Sequence, residues 1–272
     1  MAPMTSEMAS TPAPGQALLP LRSRASAPDG RVWPCPLSGA TPEEPPAGGG
    51  PAPGPAGWTS VEWRLDHLAP LARGAQADAA RIGPVLARLT DTLGDVPLLV
   101  TYRTVGQGGR GETGPEQYLA LVGAVAGLPA VDLVDVEFDH PERDAALQVL
   151  RSAGVPSLLS HHDRDGQPTA EGMAALVQRM QATGADAVKL ATTPVDEGEA
   201  VELLAVLDRV AHTGAPVAML GMGDAGRLTR LVGPACGSFL TFARRGAASA
   251  PGQLDLALVA ATVDALRAPE RS

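Results

Sequence analysis

From Trp58 onward the chain alternates short aliphatic runs with longer stretches in which apolar residues recur at helical spacing. The runs at 60–65, 97–103, 131–138, 155–161, 185–191, 216–221 and 237–242 predict strands. The stretches at 76–93, 114–127, 141–153, 169–183, 196–213, 225–233 and 254–267 predict helices. Several helices have readable ends. Thr113 with Glu116 has the form of a capping box. Gly154, Gly184 and Gly214 fall where a left-handed C′ residue is wanted. Strand–helix repetition of this kind implies a parallel sheet with right-handed crossovers.

The segment before Trp58 changes the count. Arg31-Val32-Trp33-Pro34-Cys35-Pro36-Leu37 is a candidate further strand, and Thr41-Pro42-Glu43-Glu44 begins like a helix. That helix should fail, because Pro45-Pro46, Gly48-Gly49-Gly50, Pro51, Pro53 and Pro55 follow at once. Eight units over about 240 residues predict a (β/α)₈ TIM barrel with a degenerate or incomplete first β/α unit. An open doubly wound sheet is the alternative, but the first strand lacks a Gly-rich dinucleotide turn. The expected organisation is a disordered tail at 1–30, the Pro/Gly-rich first unit at 31–57 and the barrel catalytic domain at 58–272. An incomplete barrel would expose the apolar edge of its second strand.

Composition narrows the function. The 272 residues carry a net charge of −9, which argues against nucleic acid as the main partner. Cys35 and Cys236 lie too far apart for a disulfide framework or a metal spacing, so a reducing, cytoplasmic setting is expected. No apolar run reaches membrane-spanning length, and no signal peptide is recognisable. Aromatic residues are only 3%, so the core must be built largely from Ala, Val and Leu.

In a barrel the functional residues gather at the C-terminal ends of the strands. Glu62, Arg64 and Asp66 alternate with Val61, Trp63 and Leu65, which puts three charges on one face and implies a polar interior. Thr101-Tyr102-Arg103 closes the next strand ahead of Gly106-Gln107-Gly108-Gly109. Asp135 and Glu137 point the same way on the following strand and could pair with the arginines. Of the adjacent His161 and His162 only one can face the interior, and a zinc site built on them with Asp163 lacks a further ligand.

Lys189 is the only lysine in the chain and ends an aliphatic strand. Desolvation lowers the pKa of such an amine, and the neutral form can attack a carbonyl to give a Schiff base. His162 precedes it by 27 residues, one strand–helix repeat. That interval predicts equivalent positions on neighbouring strands, about 5 Å apart, where an imidazole can move protons for the amine. Arg230 is either a solvated helix residue or a carboxylate clamp. The loop Ser249-Ala250-Pro251-Gly252-Gln253 follows the last strand, where barrels often hold an anionic group.

Five segments in order resemble the type I 3-dehydroquinate dehydratases: Glu62–Asp66, Thr101–Arg103, Ser160–Asp163, Gly184–Lys189 and Ser249–Gln253. The resemblance covers about residues 58–267 and includes the His–Lys interval. It implies that Lys189 forms an imine with the ketone of 3-dehydroquinate and that His162 is the proton carrier. Arg230, Ser249 and Gln253 would hold the carboxylate and nearby hydroxyls, while Glu62, Arg64 and Arg103 would hold the ring hydroxyls. No metal or organic cofactor is implied, and a homodimer is. Two positions depart from the pattern: Gln107 stands where the family has Glu, and Arg164 where an aromatic is usual. The amide predicts reduced turnover, because it stabilises an imidazolium less well than a carboxylate does. Two other readings compete: a lysine-dependent aldolase on the same barrel, and a catalytically impaired homologue kept for binding or assembly.

Overall fold

The computed structural model describes residues 60–68, 71, 74–93, 97–244 and 250–267, together with the main chain of 33–38. The expected N-terminal tail, the failed helix after the first strand and Ser249 lie outside these residues.

Eight parallel strands form one sheet: β1 (Trp33–Ser38), β2 (Val61–Arg64), β3 (Leu98–Thr101), β4 (Leu133–Glu137), β5 (Ser157–His162), β6 (Ala187–Thr192), β7 (Val217–Gly221) and β8 (Leu240–Arg244). Their spatial order is β7-β6-β5-β4-β3-β2-β1-β8. The amide of Phe239 donates to the carbonyl of Val217 at 3.0 Å, which links the start of β8 back to β7 and closes the barrel. Outside run α1 (Ala75–Leu93), α2 (Pro115–Ala126), α3 (Arg143–Ala153), α4 (Ala170–Gln181), α5 (Glu197–Val210), α6 (Arg227–Val232) and α7 (Leu256–Arg267).

The Pro-rich first unit supplies its strand. β1 pairs with β8 over five positions, Trp33 to Leu37, but with β2 only at Leu37 and Ser38. Pro34 and Pro36 have no N–H, and residues two apart in a strand turn their amides to the same neighbour. One edge of β1 therefore lacks two donors, and the ladder to β2 forms only after the second proline. The edge of β2 is covered nonetheless, so the sheet is not incomplete.

Alternation along the strands sorts side chains into two layers. Trp63, Val100, Val136, Leu159, Leu190 and Met219 belong to the cluster packed against the helices. Leu99, Leu133, Leu158, Ala187, Ala218, Leu240 and Phe242 fill the barrel from inside. Each fully buried leucine contributes about 1.5–3 kcal/mol, so this interior floor is both dry and stabilising. Glu62, Thr101, Arg103, Asp135, Glu137, Ser160 and Lys189 continue the inward face towards the C-terminal ends of the strands, and all are buried.

Local signals mostly act where expected. Gly154 takes φ +64° after α3, and its N–H reaches the carbonyls of Leu150 and Arg151. Asp196 and Thr169 cap α5 and α4 through the amides of Glu199 and Gly172. Two expectations fail. The box at α2 is shifted by one residue: Gly114 is the N-cap, and the Gln117 amide oxygen accepts its N–H at 2.8 Å. Gly214 is not left-handed, because α5 ends at Val210 and the Thr213 hydroxyl takes that residue's carbonyl instead, at 2.9 Å.

Candidate active site

A cavity of about 390 Å³ opens at the C-terminal ends of the strands, within the usual size for a small-molecule site. Glu62, Arg64, Arg103, His162, Lys189 and Arg230 all line it. Lys189 Nζ lies 3.1 Å from His162 Nε2 and 4.4 Å from the centre of the Phe242 ring. The two residues do not sit level, as their interval had suggested. Lys189 is in register with Ser160, and His162 with Ala191, two residues further along. The lysine's four-carbon stem spans that step.

His162 is held by Gln107. The Gln107 amide oxygen accepts the His162 backbone N–H at 2.7 Å and lies 3.2 Å from its ring Nδ1. A backbone amide can only donate, so this end of Gln107 is the oxygen. An amide oxygen can only accept, so Nδ1 carries the imidazole proton and Nε2 presents a lone pair to Lys189. Burial pushes the His162 pKa well below the usual histidine value, and the charges of Arg103 and Lys189 push it further down. Burial, then Arg103, also brings Lys189 down to about 8, although Glu62 and Asp135 oppose the shift. At neutral pH the pair is thus a neutral base beside an amine with a substantial uncharged fraction.

Of the buried arginines at the cavity, all but one are ion-paired. Arg64 grips Asp66 with two bonds, Nε to Oδ1 at 2.7 Å and Nη2 to Oδ2 at 2.6 Å. Asp66 stands in the turn Leu65–His67 rather than in the strand, because β2 ends at Arg64. Arg103 donates to Asp135, Glu137 and Ser160 at 2.7, 3.1 and 2.9 Å. Burial works against the charge of Arg103, but the acids around it more than offset this and raise its pKa. Glu62 accepts the Thr101 hydroxyl at 2.7 Å, and burial raises its pKa despite nearby Lys189 and Arg64.

Arg230 is the exception. It is only 3% exposed, donates from Nη2 to the Pro251 carbonyl at 3.2 Å, and leaves its buried Nε without a partner. No carboxylate pairs with it among the described residues, and burial pushes its pKa down to about 10, still high enough to keep the charge. Its direction is fixed from behind. Thr229 Oγ1 accepts the Gly221 N–H and donates to the Gly226 carbonyl, both at 2.7 Å, which ties the start of α6 to the end of β7.

Gln253 is buried but does not line the cavity. Its side-chain oxygen lies 3.3 Å from the Ala250 amide, bracing the loop whose Ala250 and Pro251 do line it. Phe242 and Leu220 form the apolar wall beside Lys189, a role the sequence reading did not assign. Strand alternation could have found Phe242, since it shares an inward face with Leu240. Arg164 stands at the exposed mouth against Gly108.

A closed parallel barrel with a desolvated amine, a facing imidazole and a buried arginine free of any described carboxylate at its C-terminal mouth has the (β/α)₈ architecture with a small-molecule cavity at the end where such folds carry their active sites. Comparison with known proteins is more specific. The family model described as Type I 3-dehydroquinase matches residues 55–268. The 3-dehydroquinate dehydratase of Klebsiella pneumoniae is 34% identical over 215 residues, covering 78% of this chain and 84% of that protein. The enzyme of that name from Clostridium kluyveri is 32% identical over 201 residues, covering 72% and 77%. Among solved structures, the type I 3-dehydroquinate dehydratase of Clostridium difficile, described with covalent modified comenic acid, superposes with a TM-score of 0.74. It is 27% identical, with 88% of this chain and 93% of that chain covered. The chain belongs to the type I 3-dehydroquinase family.

Proposed function

We propose that the protein converts 3-dehydroquinate to 3-dehydroshikimate through an imine on Lys189, with His162 carrying the protons. The observation that carries this reading is the 3.1 Å approach of Lys189 Nζ to an unprotonated His162 Nε2 inside a cavity that ends on Arg230. The uncharged amine adds to the C3 ketone and water leaves, giving the iminium. That cation withdraws electrons from C2, and His162 Nε2 takes the C2 proton. The resulting enamine expels the C1 hydroxyl, which departs with the proton His162 now holds. Water then hydrolyses the product iminium, so the net loss is one water.

The remaining groups support this course. Arg230 suits the substrate carboxylate, because it is charged, buried and without an acid of its own. Glu62 and Arg64 face the cavity with capacity for ring hydroxyls. Arg103 would act mainly by charge, since the bonds it makes are to Asp135, Glu137 and Ser160. Gln253 would shape the loop beside Arg230, with Ser249 on the same loop. A cytoplasmic homodimer completes the reading, and sedimentation at micromolar concentration tests the dimer. No helix among the described residues is long and apolar enough to cross a membrane.

Incubation with 3-dehydroquinate and borohydride, with enone absorbance followed in parallel without reductant, tests the chemistry. Turnover and a reduced adduct on Lys189 are expected. An adduct without turnover would instead mark a catalytically impaired homologue, and the absence of both would overturn the enzyme reading.

A further inference from the structure

We propose that Asp139 is a positioning residue for His162, acting through Gln107. Gln107 ends the short 3₁₀ turn Val105–Gln107 and is only half buried, so little packing fixes its side chain. Its two ends are used differently. The oxygen serves two N–H groups of His162, and the amide nitrogen donates to Asp139 Oδ2 at 3.4 Å. Asp139, just past β4, is itself held by contact of the same oxygen with His161 Nδ1. Arg143 is the other charge near Asp139, while Lys189, Arg103, Arg64 and His161 bear on His162.

The consequence follows from the valence of an amide. With its N–H end anchored on a carboxylate, Gln107 keeps its oxygen on Nδ1–H, and Nε2 is left as the acceptor. Without that anchor the amide swings towards solvent, and imidazole regains its other tautomer, whose Nε2–H cannot take a proton. The same geometry makes positions 107 and 139 interdependent. A carboxylate at 107 would face the carboxylate of Asp139 at hydrogen-bond distance, and like charges there repel. Asparagine at 139 could instead donate its own N–H to that carboxylate.

This inference rests on His162 being the base, and its test separates the two ideas. Wild-type turnover and adduct formation bear on the base. The positioning role is read from variants and from the ¹⁵N shifts of the His162 ring in the resting protein, which need no turnover. Asp139→Leu should lower kcat by about threefold to tenfold, the scale of one hydrogen bond, with KM within about twofold. Its ¹⁵N spectrum should show mixed tautomers. Asp139→Asn keeps an acceptor oxygen and should recover most of the rate. Against the expectation that a carboxylate at 107 would serve His162 better, the facing Asp139 should make Gln107→Glu turn over more slowly than the unmodified protein, and Gln107→Glu with Asp139→Asn should exceed the product of the single effects. A single Nδ1–H tautomer and unchanged kcat in Asp139→Leu, or purely multiplicative effects in the double variant, would overturn the proposal.

Discussion

The uncharged fraction of Lys189 can be measured directly, because no other side chain in the protein carries an amine of its kind. An ordinary lysine with pKa 10.5 is neutral about once in 3,000 molecules at pH 7; at about 8, the value set by burial and Arg103, it is neutral about once in 11. The gain is roughly 300-fold in reactive amine. Reductive methylation with formaldehyde and cyanoborohydride, quantified by mass on the peptide containing Lys189, should rise with pH, bend near 8 and then level off. The unfolded chain should keep rising towards 10.5. The same shift enters stability with a definite sign. Below pH 8 both states hold the proton and the native state bears the full desolvation penalty, about 3 kcal/mol. Between 8 and 10.5 the unfolded chain holds more protons, so stability should rise with pH. In Lys189→Met that rise should be missing from urea titrations. A methylation rate that climbs without a bend past pH 10 would refute the claim that the cavity depresses this amine.

Other outcomes follow from the cavity walls. Arg230→Leu should raise KM by about 10- to 100-fold, the scale of a charged hydrogen bond, without lowering the melting temperature, since a buried guanidinium lacking a counter-ion is removed. Phe242→Ala should cost about 3–5 kcal/mol in chemical denaturation. It should also move the methylation bend of Lys189 upward, as water replaces the ring 4.4 Å from the amine. Gly252→Ala should raise KM and lower the melting temperature. Gly252 holds φ +76°, and a Cβ there would lie 2.1 Å from the Gly223 carbonyl oxygen, so the loops beside Arg230 must part.

Periodicity carried most of the architecture, because each strand and helix buries a continuous face and writes it into the spacing. The predicted run 131–138 became β4 at Leu133–Glu137, and 169–183 became α4 at Ala170–Gln181. Spacing was less informative where side-chain length intervenes. It put His162 and Lys189 level, whereas a two-residue stagger bridged by the lysine stem brings their tips together. Arg230 looked evenly balanced in sequence because its burial depends on Thr229, Thr241 and the Pro251 loop, which only the closed barrel assembles. The partnership of Gln107 with Asp139 was not legible either, since it joins two loops through side-chain ends.

The two prolines of β1 have a further effect on where the barrel can breathe. In a ring of eight strands β1 lies across from β5, and its ladder to β2 has only two residue pairs, against five between β5 and β6. Hydrogen exchange should therefore be faster along that seam than between β5 and β6. Opening there leaves His162 and Lys189, on the far wall, still facing each other.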